Sequence, residues 1–355
     1  MLKAIGCEKK VFDFIENAKA SANRLHTYVT SNQDYVITPA FVDLQVNGYA
    51  GVSLDSDYSI ESLIKISDAL KRDGVCLFAP TVITCDYEYM SHVLNVTREF
   101  QKKYPNKILG VHLEGPFISL KKSGIHPKNL VRKLSPKDLE LLLSYKDAIS
   151  YLTCAPNAVS LADLKVLIDS GIKISLGHAD ATYDEATEFI KNGASLGTHL
   201  YNAMSKAPNG RNLGVAESLL ANKVYTGVIV DGVHVALPLV KLAYEILKEK
   251  FILVTDALAA AGISAKEFKT FKFANTEIIN SELEGCINKD GTLAGSRLTM
   301  IDGFKNLLKL DIGVKDAIYA ATIAPLKALD KTNNRFYNIF DKDFNLIEGC
   351  IELEG

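Results

Sequence analysis

The sequence has no C-x-x-C pair, no excess of basic residues and no apolar run long enough for a membrane. Its six cysteines, Cys7, Cys76, Cys85, Cys154, Cys286 and Cys350, are scattered over the whole chain. That scatter argues against a disulfide framework or a cysteine zinc site and favours a reducing compartment. Forty Lys and Arg against forty-two Asp and Glu leave a net charge of −2. Nothing in that balance draws in nucleic acid or an anionic membrane. No stretch approaches the ~18 apolar residues of a bilayer-spanning helix. The N-terminal MLKAIGCEKKVFDF has none of the apolar core of a secretory signal. The expectation is a cytoplasmic protein with a small-molecule substrate, and neither nucleic acid nor membrane as partner. Low-complexity tracts and Gly/Ser linkers are missing too.

What is present is the composition of a folded globular chain: 355 residues, 48% apolar and 23% charged. That length suits two ordinary domains, or one α/β barrel of roughly 250 residues with a small appendage. Eight strand-like apolar runs recur: 41–47, 76–84, 108–116, 149–157, 173–179, 194–202, 224–234 and 251–256. Most are continuously apolar, the pattern of parallel strands covered on both faces. Helical patterns separate them. Residues 59–73 carry Ile60, Leu63, Ile64 and Leu70 near helical spacing, and 236–250 carry Leu239, Val240, Ala243, Ile246 and Leu247. Ser135-Pro136 reads as an N-cap followed by Pro at the first helical position, and Thr182 with Glu185 as a capping box.

Strands and helices alternating eight times predict a closed (β/α)8 barrel over residues 38–330. A doubly wound open sheet is the alternative, but no Gly-x-Gly-x-x-Gly follows the first strand. The chain ends, 1–37 and 331–355, are expected to form a small accessory β unit. Its C-terminal part reads as short strands at 335–340, 345–347 and 350–353. A hairpin is expected at 269–274 and 277–279, beyond the eighth strand.

Active sites of such barrels form at the C-terminal ends of the strands. Five of the seven histidines (His112, His126, His178, His199 and His234) stand at or just after those ends. Glu114, His178 and His199 together make one carboxylate and two imidazoles, a set that binds zinc or ferrous iron and leaves a position open for water. Singly, each reads as readily as a buried hydrogen-bonded polar residue; together they point to one divalent metal. Asp256, closing the last strand, suits a general base and acid. His112 fits either support for Glu114 or direct chemistry. His26, His92, Cys76 and Cys154 read as structural, and Asp43 as an anchor near the start of its strand.

In this order the motifs resemble the N-acetylglucosamine-6-phosphate deacetylases of the amidohydrolase superfamily. The matching segments are PAFVDLQVNG from Pro39, VHLEGPF from Val111, LGHADAT from Leu176 and GTHLYNAM from Gly197. DGVH from Asp231, VTDA from Val254 and GTLAGS from Gly291 complete the series. The resemblance spans roughly residues 36–330. It implies that Glu114, His178 and His199 hold the metal and that Asp256 is catalytic. It implies substrate contacts at Ile125, His126, Asn202, Ala203, Arg211, Asp231, His234, Leu293, Ala294 and Gly295. Gln45-Val46-Asn47 stands where many relatives carry His-x-His, which implies one metal, with Gln45 orienting water or bonding near the ion. A homodimer is implied as well. The activity implied is release of acetate from N-acetylglucosamine 6-phosphate. A galacto-configured amino-sugar phosphate, another amidohydrolase reaction, or a non-catalytic sugar-phosphate sensor are the alternatives.

Overall fold

The computed structural model describes residues 2–7, 11, 15, 25–332 and 335–352. Its centre is a sheet of eight parallel strands: Phe41–Val46, Val75–Ile83, Val111–Glu114, Ile149–Cys154, Ile174–Leu176, Leu196–Gly197, Tyr225–Ile229 and Phe251–Val254. Each pairs with its sequence neighbour. The ring closes where Val46 bridges Ala257 in parallel, so the predicted barrel is the fold. The closure is reinforced by Asp43, which accepts hydrogen bonds from the Thr255 amide and hydroxyl.

The strands form because their side chains are covered on both faces, by helices outside and by the barrel axis inside. All six residues of Phe41–Val46 and of Ile149–Cys154 are buried. The helices begin where their caps predict. Ser59 accepts from the Ser62 amide, and Ser135 and Thr182 each form a reciprocal capping box, with Asp138 and Glu185.

The axis carries a polar layer below the mouth. His112 stacks on Tyr151, ring centroids 3.9 Å apart. Its Nε2 lies 2.7 Å from Thr153 Oγ1, which lies 2.7 Å from Thr198 Oγ1, itself 2.6 Å from Ser175 Oγ. His112 therefore supports the strands beneath the mouth. Only glycine fits at 177, since a Cβ there would stand 2.7 Å from Thr198 Cβ.

Two four-stranded sheets flank the barrel. The chain ends build one, in the order Leu2–Ala4, Tyr35–Pro39, Phe336–Asp341, Leu346–Glu352. The two C-terminal runs expected at 345–347 and 350–353 are one strand within the described residues, kinked by register shifts against its neighbour. Phe340 packs on Phe41 and Phe304, and the Asn338 amide donates to the Gly74 carbonyl, tying this sheet to the barrel base. The predicted hairpin is real, at Thr270–Phe273 and Thr276–Ser281. It continues through Gly285–Asn288 and Leu293–Gly295 into a four-stranded antiparallel sheet. Leu293, Ala294 and Gly295, expected in a substrate loop, form its last strand at the barrel mouth.

Candidate active site and metal centre

The third, fifth, sixth and eighth strands each deliver one side chain to a common point at the mouth. Glu114 is the last residue of its strand. His178, His199 and Asp256 each lie two residues past theirs, in left-handed backbone with φ of 48°, 31° and 53°. The left-handed turn takes each residue out of the ladder and aims its side chain across the barrel end.

Glu114 Oε1 lies 3.2 Å from His178 Nε2 and 2.8 Å from His199 Nε2, and the two nitrogens are 3.0 Å apart. The three residues are buried, at 2%, 5% and 3% exposure. His178 Nδ1 sits 2.8 Å from the Lys122 carbonyl and donates its proton there, which leaves Nε2 as a bare lone pair facing the centre. Burial alone would raise the Glu114 carboxyl, but the two imidazoles beside it, at His178 and His199, hold it well below the usual carboxylate range. An ionised oxygen and imidazole nitrogens converging in a buried space suit a divalent cation. The donor set fits zinc or ferrous iron.

Asp256 Oδ1 accepts from Gln45 Nε2 at 2.9 Å and from Asn47 Nδ2 at 2.7 Å. Gln45 Nε2 also donates to Glu114 Oε1 at 3.1 Å, so one carboxamide links the carboxyl groups of Glu114 and Asp256. Burial and the neighbouring Glu114 charge push the Asp256 carboxyl well above its ordinary value; a cation held by Glu114 works in the opposite sense.

These groups floor a cavity of about 310 Å³. His126 hangs over it. Its Nδ1 accepts from the Thr84 amide at 3.4 Å and lies 2.8 Å from the Thr84 hydroxyl, which leaves Nε2–H as a donor. Burial and the nearby His178 hold the ring neutral. Ile125, Asn202, Ala203, His234, Leu293, Ala294 and Gly295 line the same cavity. The Asn202 amide is pinned to the carbonyls of His199 and Leu200. His234 Nδ1 lies 2.6 Å from Asp231 Oδ2. Despite its burial, that contact holds the Asp231 carboxyl below its usual range. Asp231 thus meets the cavity through His234.

Arg211 does not line the cavity: it is exposed in a turn where its amide donates to Asn209 Oδ1. The cations that do line it are Lys121 and Lys122, on the short turn Leu120–Lys122. Neither was expected from the sequence, nor were Ile83, Gly124 and Thr292; Asn47 was singled out only with Gln45, as a replacement for a metal-binding histidine. The one available signal was position, since the Lys-Lys pair stands between Glu114 and His126. Among the other histidines, His92 Nε2 bonds the Tyr58 carbonyl away from the mouth, and the His26 side chain lies outside the described residues.

Comparison with known proteins agrees with this geometry. Residues 36–334 match the Amidohydrolase family. The N-acetylglucosamine-6-phosphate deacetylase of Haemophilus influenzae is 34% identical over 294 residues, 82% of this chain and 77% of the relative. The N-acetylgalactosamine-6-phosphate deacetylase of Shewanella sp. is 32% identical over 320 residues, 89% of this chain and 79% of the relative. The crystal structure of an N-acetylglucosamine-6-phosphate deacetylase from Pasteurella multocida superposes with a TM-score of 0.85 at 33% identity, covering 88% of this chain and 85% of that one. The chain is a hydrolase of the amidohydrolase family and belongs to its N-acetylglucosamine-6-phosphate deacetylases.

Proposed function

We propose that this enzyme hydrolyses the acetamide of N-acetylglucosamine 6-phosphate, giving glucosamine 6-phosphate and acetate, with one divalent metal per chain. The carrying observation is the convergence of Glu114, His178 and His199 beside Asp256 in a single cavity. Glu114, His178 and His199 would hold zinc or iron(II). A divalent ion held there would supply hydroxide from water at neutral pH.

The chain's own groups do the rest. Asp256, fixed at Oδ1 by Gln45 and Asn47, takes the water proton on Oδ2 and returns it to the leaving amine. His126, neutral and donating through Nε2, polarises the acetamide oxygen as negative charge builds on it. The two carboxamides at Gln45 and Asn47 are neutral and present N–H groups to Glu114 and Asp256, an arrangement that supports one metal rather than two. Lys122, Asn202, Ala203 and His234 ring the outer cavity and take the sugar phosphate; Lys121, ion-paired with Asp180 at 3.1 Å, sits further out. Holding the phosphate there places the acetamide at the floor.

The chain is proposed to act as a cytoplasmic homodimer. Cys85, Cys154, Cys286 and Cys350 carry free thiols, in keeping with a reducing compartment. No described helix is long and apolar enough to cross a membrane. Leu239 and Leu242 stand 42% and 50% exposed on the helix Leu237–Leu247, a surface suited to a second copy.

The test is acetate release from the gluco substrate, its galacto epimer and the unphosphorylated sugar, with metal measured on the same sample. Turnover of the phosphorylated gluco sugar with about one metal per chain is expected. Preference for the galacto epimer would reassign the substrate, and two required metals would overturn the single-ion reading. Asp256→Asn is expected to keep its metal and lose about 10²–10⁴ in kcat; unchanged turnover would remove Asp256 from the chemistry.

A further inference from the structure

Ile83 ends the second barrel strand, in register with Glu114 on the third. Thr81, two residues earlier, points to the barrel axis, where its hydroxyl meets His112 Nδ1 at 3.1 Å. Side chains two apart on a strand share a face, so Ile83 points inward one layer higher, at the level of the reaction. It is 5% exposed and packs in an apolar cluster with Leu258, Phe273, Ile125 and Ala294. The next residue, Thr84, anchors His126.

A second cavity, about 220 Å³, shares Ile83 as a wall; Val82, Cys85, Tyr89 and Leu130 line it together with the polar Asp55, Thr84, Asp86 and Asn275. Of the described residues lining either cavity, Ile83 alone lines both. Nothing in the reaction proposed above uses that second space.

Position around the barrel says what meets Ile83. The groups placed to take the sugar phosphate follow the third, sixth and seventh strands, while Ile83 ends the second and Asp256 follows the eighth. A carbonyl held over the Glu114–His178–His199 centre carries the sugar nitrogen on one side and the acyl methyl on the other. With the sugar drawn toward Lys122, Asn202 and His234, the methyl faces the strand-two wall. That wall is hydrocarbon, as an acyl methyl requires, and it is closed by one side chain.

We infer that Ile83 sets acyl-chain length: its side chain is the stop against which the acetyl methyl rests, and it separates the reaction cavity from a space that would hold a longer acyl group. This rests on the deacetylase reading and adds the substrate's acyl class to it. A pocket with no room for one further methylene discriminates by about 10- to 200-fold.

The experiment compares kcat/KM for N-acetyl and N-propionyl glucosamine 6-phosphate in the metal-loaded wild type, Ile83→Val and Ile83→Ala. The wild type is expected to favour acetyl by at least about tenfold. The propionyl-to-acetyl ratio should rise about threefold in Ile83→Val and about tenfold or more in Ile83→Ala as the two cavities join. Inhibition by glucosamine 6-phosphate, which has no acyl group, should stay unchanged in both. A ratio unmoved in both variants overturns the inference, and so does a loss of product inhibition as large as the ratio change. Ile83→Val removes a single methylene and keeps the test open if Ile83→Ala folds poorly. Wild type that releases acetate while the ratio stays fixed defeats the Ile83 assignment alone; wild type that releases none defeats the deacetylase reading itself.

Discussion

The floor and the rim of the cavity are built on different principles. On the floor, Glu114, His178, His199 and Asp256 come from strand ends, are buried, and are held by hydrogen-bonded neighbours. On the rim, Lys121 has a side chain 83% exposed, Lys122 sits on a short turn, and Arg211 stands off the cavity altogether. Bond-making chemistry tolerates little displacement of the reacting groups. Attraction between a phosphate and an ammonium falls off gently with distance. In the proposed reaction rigid strands would therefore carry the first task, and loops would suffice for the second.

The largest expected effect breaks the floor. Glu114→Ala should lose stoichiometric metal and at least about 10³ in kcat/KM, checked by elemental analysis and acetate release on one sample. Full activity with full metal content would show that the floor is not the reaction centre.

Next comes the foundation under the floor. Burial pushes the Asp43 carboxyl up to about 6, only partly countered by its bonds to Thr255 and Gln45. A carboxyl whose folded value exceeds its unfolded one, near 3.8, stabilises the fold fully below that unfolded value. The contribution is lost as pH rises through about 6. Asp43→Asn keeps an acceptor for the two amides and stays neutral. Between pH 4 and 7 the wild type should therefore lose roughly 2 kcal/mol relative to the variant. Denaturant unfolding at both pH values reads this directly; parallel profiles would refute it.

The rim should respond more mildly and in KM. Lys122→Ala is expected to raise KM about tenfold with kcat nearly unchanged, the signature of lost uniform binding. Arg211→Ala, the smallest effect, should stay within about threefold, as suits an exposed residue off the cavity. A tenfold or greater rise for Arg211 would put that turn, or a partner's copy of it, in contact with substrate.

The same division governed what could be read in advance. All eight barrel strands were visible because burial on both faces imposes continuous apolar runs. Ser135 and Thr182 marked helix starts through their side-chain chemistry. The runs overreached at their C-terminal ends. Residues 194–202 contain only the strand Leu196–Gly197, because His199, Tyr201 and Ala203 turn left-handed and leave the ladder. Those departures are what make the site, and hydrophobic patterning is blind to them. The last two strands of the inserted sheet were missed, being short and polar at Asn288 and its flanking turn. Lys121 and Lys122 carry no local signal, since a lysine pair is ordinarily solvated surface; only the path of the chain after Glu114 brings them to the cavity. Arg211 shows the reverse, a residue of suitable chemistry that the loop turns away.

The left-handed backbone at His178, His199 and Asp256 has an evolutionary corollary. Each such conformation costs about 1 kcal/mol or more in a residue with a side chain, and glycine escapes the penalty. Glycine at these places would relieve the backbone while emptying a buried position and silencing the reaction. A copy released from selection for turnover should therefore change first at these three codons.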